Sequence, residues 1–445
     1  MNLTIHRGAH EIGGSCVEVS SEAGRLILDL GMPLVSQGKD GTEPFDMRPH
    51  RDSSGPELVA AGVLPDIPGL YAWDSPEVTA VLISHAHQDH YAFTHHVHPE
   101  IPVWCSRETH GILKASDLFV PNAKLPHNIH TFEKSWQKHA IGNFTVTPHP
   151  LDHSSTGGVA LEVTDGEKRI CYSGDLRAHG RNPKLFQNML NHPPRNVDAF
   201  LLEGTMMSRP GAQEYPTEKA VEEKLTRIFA AQKDLAFLFC SGQNVDRLLS
   251  VYEAVKQAGK ARPDFLFVID LYTAFVLLQL YDAGRNPGLQ FWSPRVKVYY
   301  WPNHYKTLRQ QGTTHAGFLK KVCDHRIQLD DALQSGAPRV MLARDNSQFD
   351  ILRKHLERGR KPEMIWSQWQ GYLTGQTRVE RFCDERNLTL HKIHTSGHAT
   401  LPDLQSLVAA VNPGTVIPIH TFEGDKYADA FPHVTRLDDG QTLSL

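Results

Sequence analysis

The segment that most limits how this chain can fold is Ser84-His85-Ala86-His87-Gln88-Asp89-His90. Three imidazoles and a carboxylate follow directly on the apolar, β-branched run Val78 to Ile83. A loop leaving a strand end can turn such side chains onto one small volume. Imidazole and carboxylate are ligands that borderline and hard divalent cations accept. His85 and His87 would serve one metal ion, and Asp89 and His90 a second. A polar loop with chance histidines is the competing reading, and the spacing and the strand context speak against it. One loop cannot close two sites, so partners must come from elsewhere. His153 follows the alternating strand Phe144 to Thr147, Asp175 ends the strand Ile170 to Tyr172, and His420 ends another in Pro418-Ile419-His420. Alone, each would read as a structural or surface residue; joined to the His85 loop they become candidate ligands.

The rhythm of the chain changes once and then changes back. The first half reads as short strands, among them Ala23 to Asp29 and a hairpin of Gly158 to Val163 with Arg169 to Ser173 around Asp165 and Gly166. The stretch Leu34 to Pro76 is rich in Gly, Pro, Ser and Asp, and a loop that long suggests a lid over the active site. After the strand Ala199 to Leu202, Thr217 to Ala230 has helical periodicity. Strands at Ala236 to Phe239, Phe265 to Ile269, Arg339 to Ala343 and Met364 to Ser367 then alternate with helices such as Val245 to Ala258. That alternation predicts a parallel α/β sheet. From about Leu388 the strand pattern returns, with Thr389 to His394 and Thr415 to Ile419. The chain thus reads as a first domain in two parts, 1–208 and 379–445, with an α/β block inserted at 209–378.

At 445 residues the chain is too long for one ordinary core. The net charge of -4 argues against a basic coat over the whole surface, although bound cations would supply positive charge that the count omits. Six scattered cysteines with no C-x-x-C pair indicate neither a disulfide framework nor a thiolate zinc site. Met1 to Gly14 does not read as a signal peptide, and no apolar run suits a membrane span. A cytoplasmic protein with no membrane partner is expected.

Asp29 in Leu28-Asp29-Leu30-Gly31, the His85 to His90 segment, His153 and Asp175 resemble, in order, the four motifs of the metallo-β-lactamase superfamily. Glu203 in Glu203-Gly204-Thr205, the late Ser396-Gly397-His398-Ala399 and the final His420 resemble the three extra motifs of the β-CASP nucleases. His420 is similar to the RNA-processing branch, which includes RNase J and the cleavage and polyadenylation nuclease. Glu203 looks like the polyadenylation type, whereas the surroundings of Ser396 and Ile417 look more like RNase J. The resemblance implies an α/β fold, a metallo-β-lactamase αββα sandwich with an inserted β-CASP domain built on a parallel sheet. The chain ends 25 residues after His420, so the extra C-terminal domain of the RNase J type is expected to be absent, which leaves a homodimer as an open expectation.

By the same resemblance His85, His87 and His153 would bind one divalent metal, Asp89, His90 and His420 the other, and Asp175 both. Zinc fits this ligand set best, with manganese admitted by the carboxylates. The implied activity is a phosphodiesterase on single-stranded nucleic acid, RNA ahead of DNA, cutting endo- or exonucleolytically. A hydroxide activated by two metals would attack phosphorus. His398 would be the general acid and Glu203 would hold its tautomer. Against these roles stand the plainer ones of a loop residue near a helix start for His398 and a helix-start carboxylate for Glu203. Asp29 would orient ligands rather than bind metal. The amides of Ser396, Gly397 and Ala399 would form an anion nest. His95, His96 and His98 follow the motif on or beside a helix and read as surface residues, His149 lies four residues before His153 and could stand behind the ligands, and His10 resembles no ligand position. Arg177, Arg181 and Lys184, and the later Arg353, Lys354, Arg358, Arg360 and Lys361, would by default be solvated and would grip phosphates only if they lined a cleft. Trp366 and Trp369 read as packing residues. Two rival functions remain: a small-molecule metallo-hydrolase of the thioesterase or lactonase type, which would have no need of the inserted block, and a non-catalytic nucleic-acid-binding paralogue, which would have lost ligands.

Overall fold

The computed structural model describes residues 1–22, 24–38, 41–207, 209, 214–232, 234–357 and 359–445. The chain forms two compact units, Met1–Gly211 with Gly397–Leu445, and Ala212–Ser396.

In the first unit two sheets share one core. The seven-stranded sheet runs Thr442–Ser444, Asn2–Arg7, Cys16–Ser21, Gly24–Leu28, Ala80–Leu82, Val103–Cys105, Ile129–Thr131. The six-stranded sheet runs Thr415–Ile419, Ala199–Glu203, Arg169–Tyr172, Val159–Thr164, Phe144–Pro150, His139–Ile141. Side chains alternate across a strand with a period of two, and the packing follows it. Leu26 and Leu28 of one sheet meet Leu161, Leu201 and Ile417 of the other in the core. The alternate residues Ala160, Phe200, Leu202 and Val416 face outward, against Phe186 and Met189 of the helix Pro183–Asn191 and Leu404, Leu407 and Val408 of Leu401–Val411. On the seven-stranded side the helix Arg107–Phe119 buries Ile112 and Leu113. This is the helix-flanked sandwich expected from the sequence.

The expected hairpin is present: Val159–Thr164 pairs antiparallel with Arg169–Tyr172. Gly166 takes φ +100° in the turn, where a Cβ would be strained. The Leu34 to Pro76 stretch is not structureless. It holds the hairpin Val35–Gly38 with Gly41–Pro44, the 3-10 turn Arg48–His50 and the helix Gly55–Ala60. Ala23, at the head of an expected strand, lies outside the described residues.

In the second unit seven strands run in the order Arg326–Ile327, Val296–Tyr299, Leu266–Asp270, Arg339–Ala343, Leu235–Phe239, Glu363–Trp366, Leu390–Lys392. Every pairing is parallel. Helices cover such sheets on both faces, which is why Leu235–Phe239 and Arg339–Ala343 are buried throughout. The unit reaches Ser396, beyond the boundary expected at 378. Leu390–Lys392 pairs with Glu363–Trp366 rather than returning to the first unit. Val296–Tyr299 and Arg326–Ile327 were not anticipated from the sequence; both are short, and periodicity has little to work on in them. Among the described residues no helix is long and apolar enough to cross a membrane.

One close approach ties the fold to the His85 loop. A Cβ at Gly31 would sit 1.6 Å from the carbonyl oxygen of Asp89. We expect Gly31→Ala to cost about 1–3 kcal/mol or more through overpacking, read as a lower denaturant midpoint at unchanged m-value.

Candidate metal centre

The parallel strands decide where the functional side chains arrive. Arg169–Tyr172, Ala199–Glu203 and Thr415–Ile419 lie side by side and parallel, so their C-terminal ends share one edge. That edge delivers Asp175, Glu203 and His420. In the other sheet Gly24–Leu28 and Ala80–Leu82 are also parallel and deliver Asp29 and the His85 loop. The loop is held by its backbone: Leu30 N–H donates to His90 O at 2.9 Å, Met32 N–H to Gln88 O at 3.0 Å and Ser15 N–H to Asp89 O at 3.1 Å. Gly174 takes φ +53°, and a Cβ there would lie 2.8 Å from that of Ser84.

All seven expected ligands come together. His85, His87, His153 and Asp175 offer ligand atoms within 4.8 Å of one another, as do Asp89, His90, Asp175 and His420. Asp175 belongs to both groups, and to a third with Glu203 and His398. His87 Nδ1 lies 3.2 Å from His85 Nε2 and 3.0 Å from His153 Nε2. His420 Nε2 lies 3.2 Å from Asp89 Oδ2, and His90 Nε2 lies 3.3 Å from Asp175 Oδ2.

The far nitrogens of the rings are already engaged. His90 Nδ1 is 2.7 Å from Asp29 Oδ2, His153 Nδ1 is 2.6 Å from Gly397 O, and His85 Nδ1 is 3.1 Å from Ser84 Oγ. A ring N–H spent on a carboxylate or carbonyl leaves the other nitrogen's lone pair facing the centre. Lone pairs converging at about 3 Å repel unless a proton or cation lies among them. His90 Nε2 and Asp175 Oδ1 are buried without a hydrogen-bond partner, the kind of orphaned atoms a cation would satisfy.

Charge points the same way. Burial, reinforced by neighbouring imidazoles, holds His85 and His153 well below the ordinary histidine range. Burial takes His87 down to about 4, so these three rings are neutral and able to donate lone pairs. Burial opposes ionisation of Asp89 and Asp175 too. His90 and His420 outweigh it, taking Asp89 to about 2 and Asp175 well below the usual carboxylate range. Among the described residues every ion-pair partner of Asp89 and Asp175 is a histidine. Buried carboxylates answered only by imidazoles are poorly compensated without a metal.

Asp29 lies outside the three ligand groups. It is fully buried and accepts from Ser84 N at 2.7 Å, Ser84 Oγ at 2.7 Å and Tyr172 OH at 2.8 Å, besides facing His90. Ser84 and Tyr172 were given no role from the sequence. Ser84 directly precedes the cluster; nothing local marks Tyr172. Glu203 Oε1 lies 3.2 Å from His398 Nδ1. Burial works against charge on His398, but Glu203 and then Asp175 prevail and raise it to about 9.

Other expectations fare differently. Gly397 presents its carbonyl to His153, and Ala399 is packed in an apolar cluster; Ser396 falls in the second unit. His149 bonds Glu162 at 2.8 Å and His10 bonds Asp438 at 2.7 Å. His95 and His96 pack on each other at 4.0 Å, and His98 accepts from Glu100 N. Arg177 is fully buried and reaches Asp152. Arg360 is locked to Asp234 and the Leu333 and Gln334 carbonyls, and Arg353 pairs with Asp350. These three are structural. Arg181 is half-buried, Lys184, Lys354 and Lys361 are exposed, and Arg358 lies outside the described residues. Trp366 is buried as expected, but Trp369 is 43% exposed and is not a core residue.

Comparison with known proteins agrees with this geometry. Residues 54–223 match a family model described as beta-lactamase superfamily domain, and residues 384–429 match one described as Zn-dependent metallo-hydrolase RNA specificity domain. A ribonuclease J of Sinorhizobium meliloti is 24% identical over 414 residues, covering 88% of this chain and 67% of the relative. A ribonuclease J of Mycolicibacterium smegmatis is 25% identical over 269 residues, 58% of this chain and 43% of the relative. The chain thus spans about two thirds of the first relative's length and less than half of the second's. A protein of unknown function from Enterococcus faecalis V583, known from its crystal structure, superposes with TM-score 0.77 at 20% identity, over 100% of this chain and 99% of that one.

Facing sheets with a histidine–aspartate cluster at their strand ends define a metallo-hydrolase of the metallo-β-lactamase type, and the cluster carries the donor set of a divalent-metal site. The two family matches and the ribonuclease J relatives support the β-CASP, ribonuclease J-like family within that superfamily.

Asn tolerates a left-handed backbone, so Asp29→Asn preserves the φ +59° turn while removing the charge behind His90. We expect it to weaken divalent-metal binding about 10–100-fold, measured by competition with a chromogenic chelator.

Proposed function

We propose that the chain is a ribonuclease, a metal-dependent phosphodiesterase acting on single-stranded RNA in preference to DNA. The observation that carries this reading is the Glu203–His398 pair, 3.2 Å apart and sharing Asp175 with the ligand cluster. A hydrolase needs an acid for its leaving group as well as a nucleophile, and this pair supplies one beside the metal site. The match of residues 384–429 to an RNA specificity domain, which takes in His398 and His420, and the relatives named ribonuclease J support RNA as the substrate.

In this reading His85, His87 and His153 would hold one cation and Asp89, His90 and His420 a second, with Asp175 belonging to both groups. The mixed nitrogen and oxygen set favours zinc and admits manganese. Cations so bound lower the pKa of water towards neutrality and offset charge on a phosphate oxygen. His398 does the rest of the proton work. Its Nδ1 is turned to Glu203, so its other ring nitrogen is presented to the departing 3′ oxygen. A pKa raised to about 9 keeps the ring protonated at neutral pH. A homodimer is compatible with this function and is settled by sedimentation.

The test is digestion of end-labelled single-stranded RNA and DNA with zinc or manganese, beside a thioester and a lactone. Cleavage of RNA, lost in Asp89→Ala/His90→Ala, is expected; intact RNA with the thioester consumed would overturn the proposal. His398→Ala should lower kcat by about 10²–10⁴-fold. The pH profile gives a second check. An acid must be protonated, so kcat falls as pH rises through the pKa of His398. Glu203 raises that pKa, so in Glu203→Gln the descending limb moves to lower pH. A limb that stays in place would remove Glu203 from the role assigned to it.

A further inference from the structure

We infer that Thr205 is a positioning residue that fixes the tautomer of His420 and ties that ligand to the Glu203–His398 pair. The inference rests on the metal-site reading above. Thr205 is 4% exposed. Its Oγ1 lies 2.9 Å from His420 Nδ1 and 3.4 Å from the His420 carbonyl oxygen. A hydroxyl has one proton to give and lone pairs to spare. A carbonyl can only accept, so the proton goes to His420 O. Towards the ring, Oγ1 then accepts, and His420 Nδ1 carries the hydrogen. The ring's remaining lone pair is therefore on Nε2, the nitrogen 3.2 Å from Asp89 Oδ2. Two acceptors so placed call for a cation near both.

The same residue reaches the acid. Its backbone N–H donates to Glu203 Oε2 at 3.0 Å, while Glu203 Oε1 faces His398. One residue thus sets the lone pair of a ligand with its side chain and steadies the partner of the general acid with its main chain. The turn allowing this is built for it. A Cβ at Gly204 would lie 2.2 Å from Tyr427 Oη, and that hydroxyl donates to Leu202 O at 2.9 Å. His420 has φ +55°, and its turn is held by its N–H to Gly8 O at 2.8 Å and by Thr421 Oγ1 to Gly204 O at 2.9 Å.

Thr205→Val keeps the shape and removes the hydroxyl; Thr205→Ser keeps the hydroxyl. With Zn²⁺ alone as probe, metal bound per chain is measured in zinc buffers by elemental analysis. Thr205→Val should lose affinity at one of the cation positions by about 10–100-fold, the usual effect of removing a partner behind a ligand, with Thr205→Ser within a few-fold of the unmodified chain. The alkaline limb of the kcat–pH profile should not move in Thr205→Val, because the main-chain bond to Glu203 persists. Unchanged zinc affinity in a folded Thr205→Val overturns the inference. Long-range ¹H–¹⁵N NMR of the zinc-loaded, unmodified chain, with the resonance assigned through His420→Gln, reads the tautomer without relying on a variant that might misfold. The Nδ1–H form is expected, and the Nε2–H form overturns the inference. If the unmodified chain takes up no zinc, the metal-site reading itself has failed, a result distinct from a shift confined to Thr205→Val.

Discussion

The carboxylate of Asp29 is the interaction on which the rest of the centre depends. It follows the last residue of Gly24–Leu28 in one sheet, accepts two hydrogen bonds from Ser84 at the head of the His85 loop, and receives the hydroxyl of Tyr172 from the opposite sheet. A third party, His90, spends its Nδ1 on the same group. One buried negative charge thereby joins two sheets and sets a ligand's lone pair. Such a group is costly to bury and is stable only with its hydrogen bonds made. Here four contacts provide them, and the left-handed turn at Asp29 aims the carboxylate inward.

What the strands do for the ligands, they do by direction. Three parallel neighbours end on one edge, so residues far apart in sequence arrive together without long loops having to find each other. Asp175 comes at the end of one, Glu203 closes the next, and His420 follows the third. The surroundings differ. Burial holds His87 down to about 4, whereas Glu203 and then Asp175 outweigh burial and raise His398. The same side chain serves as lone-pair donor in one place and proton donor a few ångströms away.

Much of this was legible in the sequence, because the ligands sit on strong punctuation. His85 to His90 follow a β-branched run, and Asp175, Glu203 and His420 each end one. The strands Arg339–Ala343 and Leu235–Phe239, buried on both faces, read as unbroken apolar runs. What escaped has physical reasons. Tyr172 is one aromatic in a core strand, and its hydroxyl matters only because Asp29 lies across the sandwich. Thr205 was seen as part of a motif, but its partner is 215 residues away. Leu390–Lys392 was assigned to the wrong unit, because a three-residue strand shows its pattern but not its neighbour. Arg177 and Arg360 read by default as solvated cations and are instead buried against Asp152 and Asp234, since charge in a sequence does not reveal the carboxylate that buries it.

The interleaving of the two units bears on how the molecule matures. Unit one is interrupted after residue 211 and resumes at Gly397. Its second instalment brings the strand Thr415–Ile419 and two members of the ligand groups, His398 and His420. A nascent chain that has emerged as far as the inserted sheet has the His85 loop, His153 and Asp175 in hand, but has neither His398 nor His420. The histidine–aspartate cluster therefore stays incomplete until Gly397–Leu445 has emerged and packed against strands made earlier.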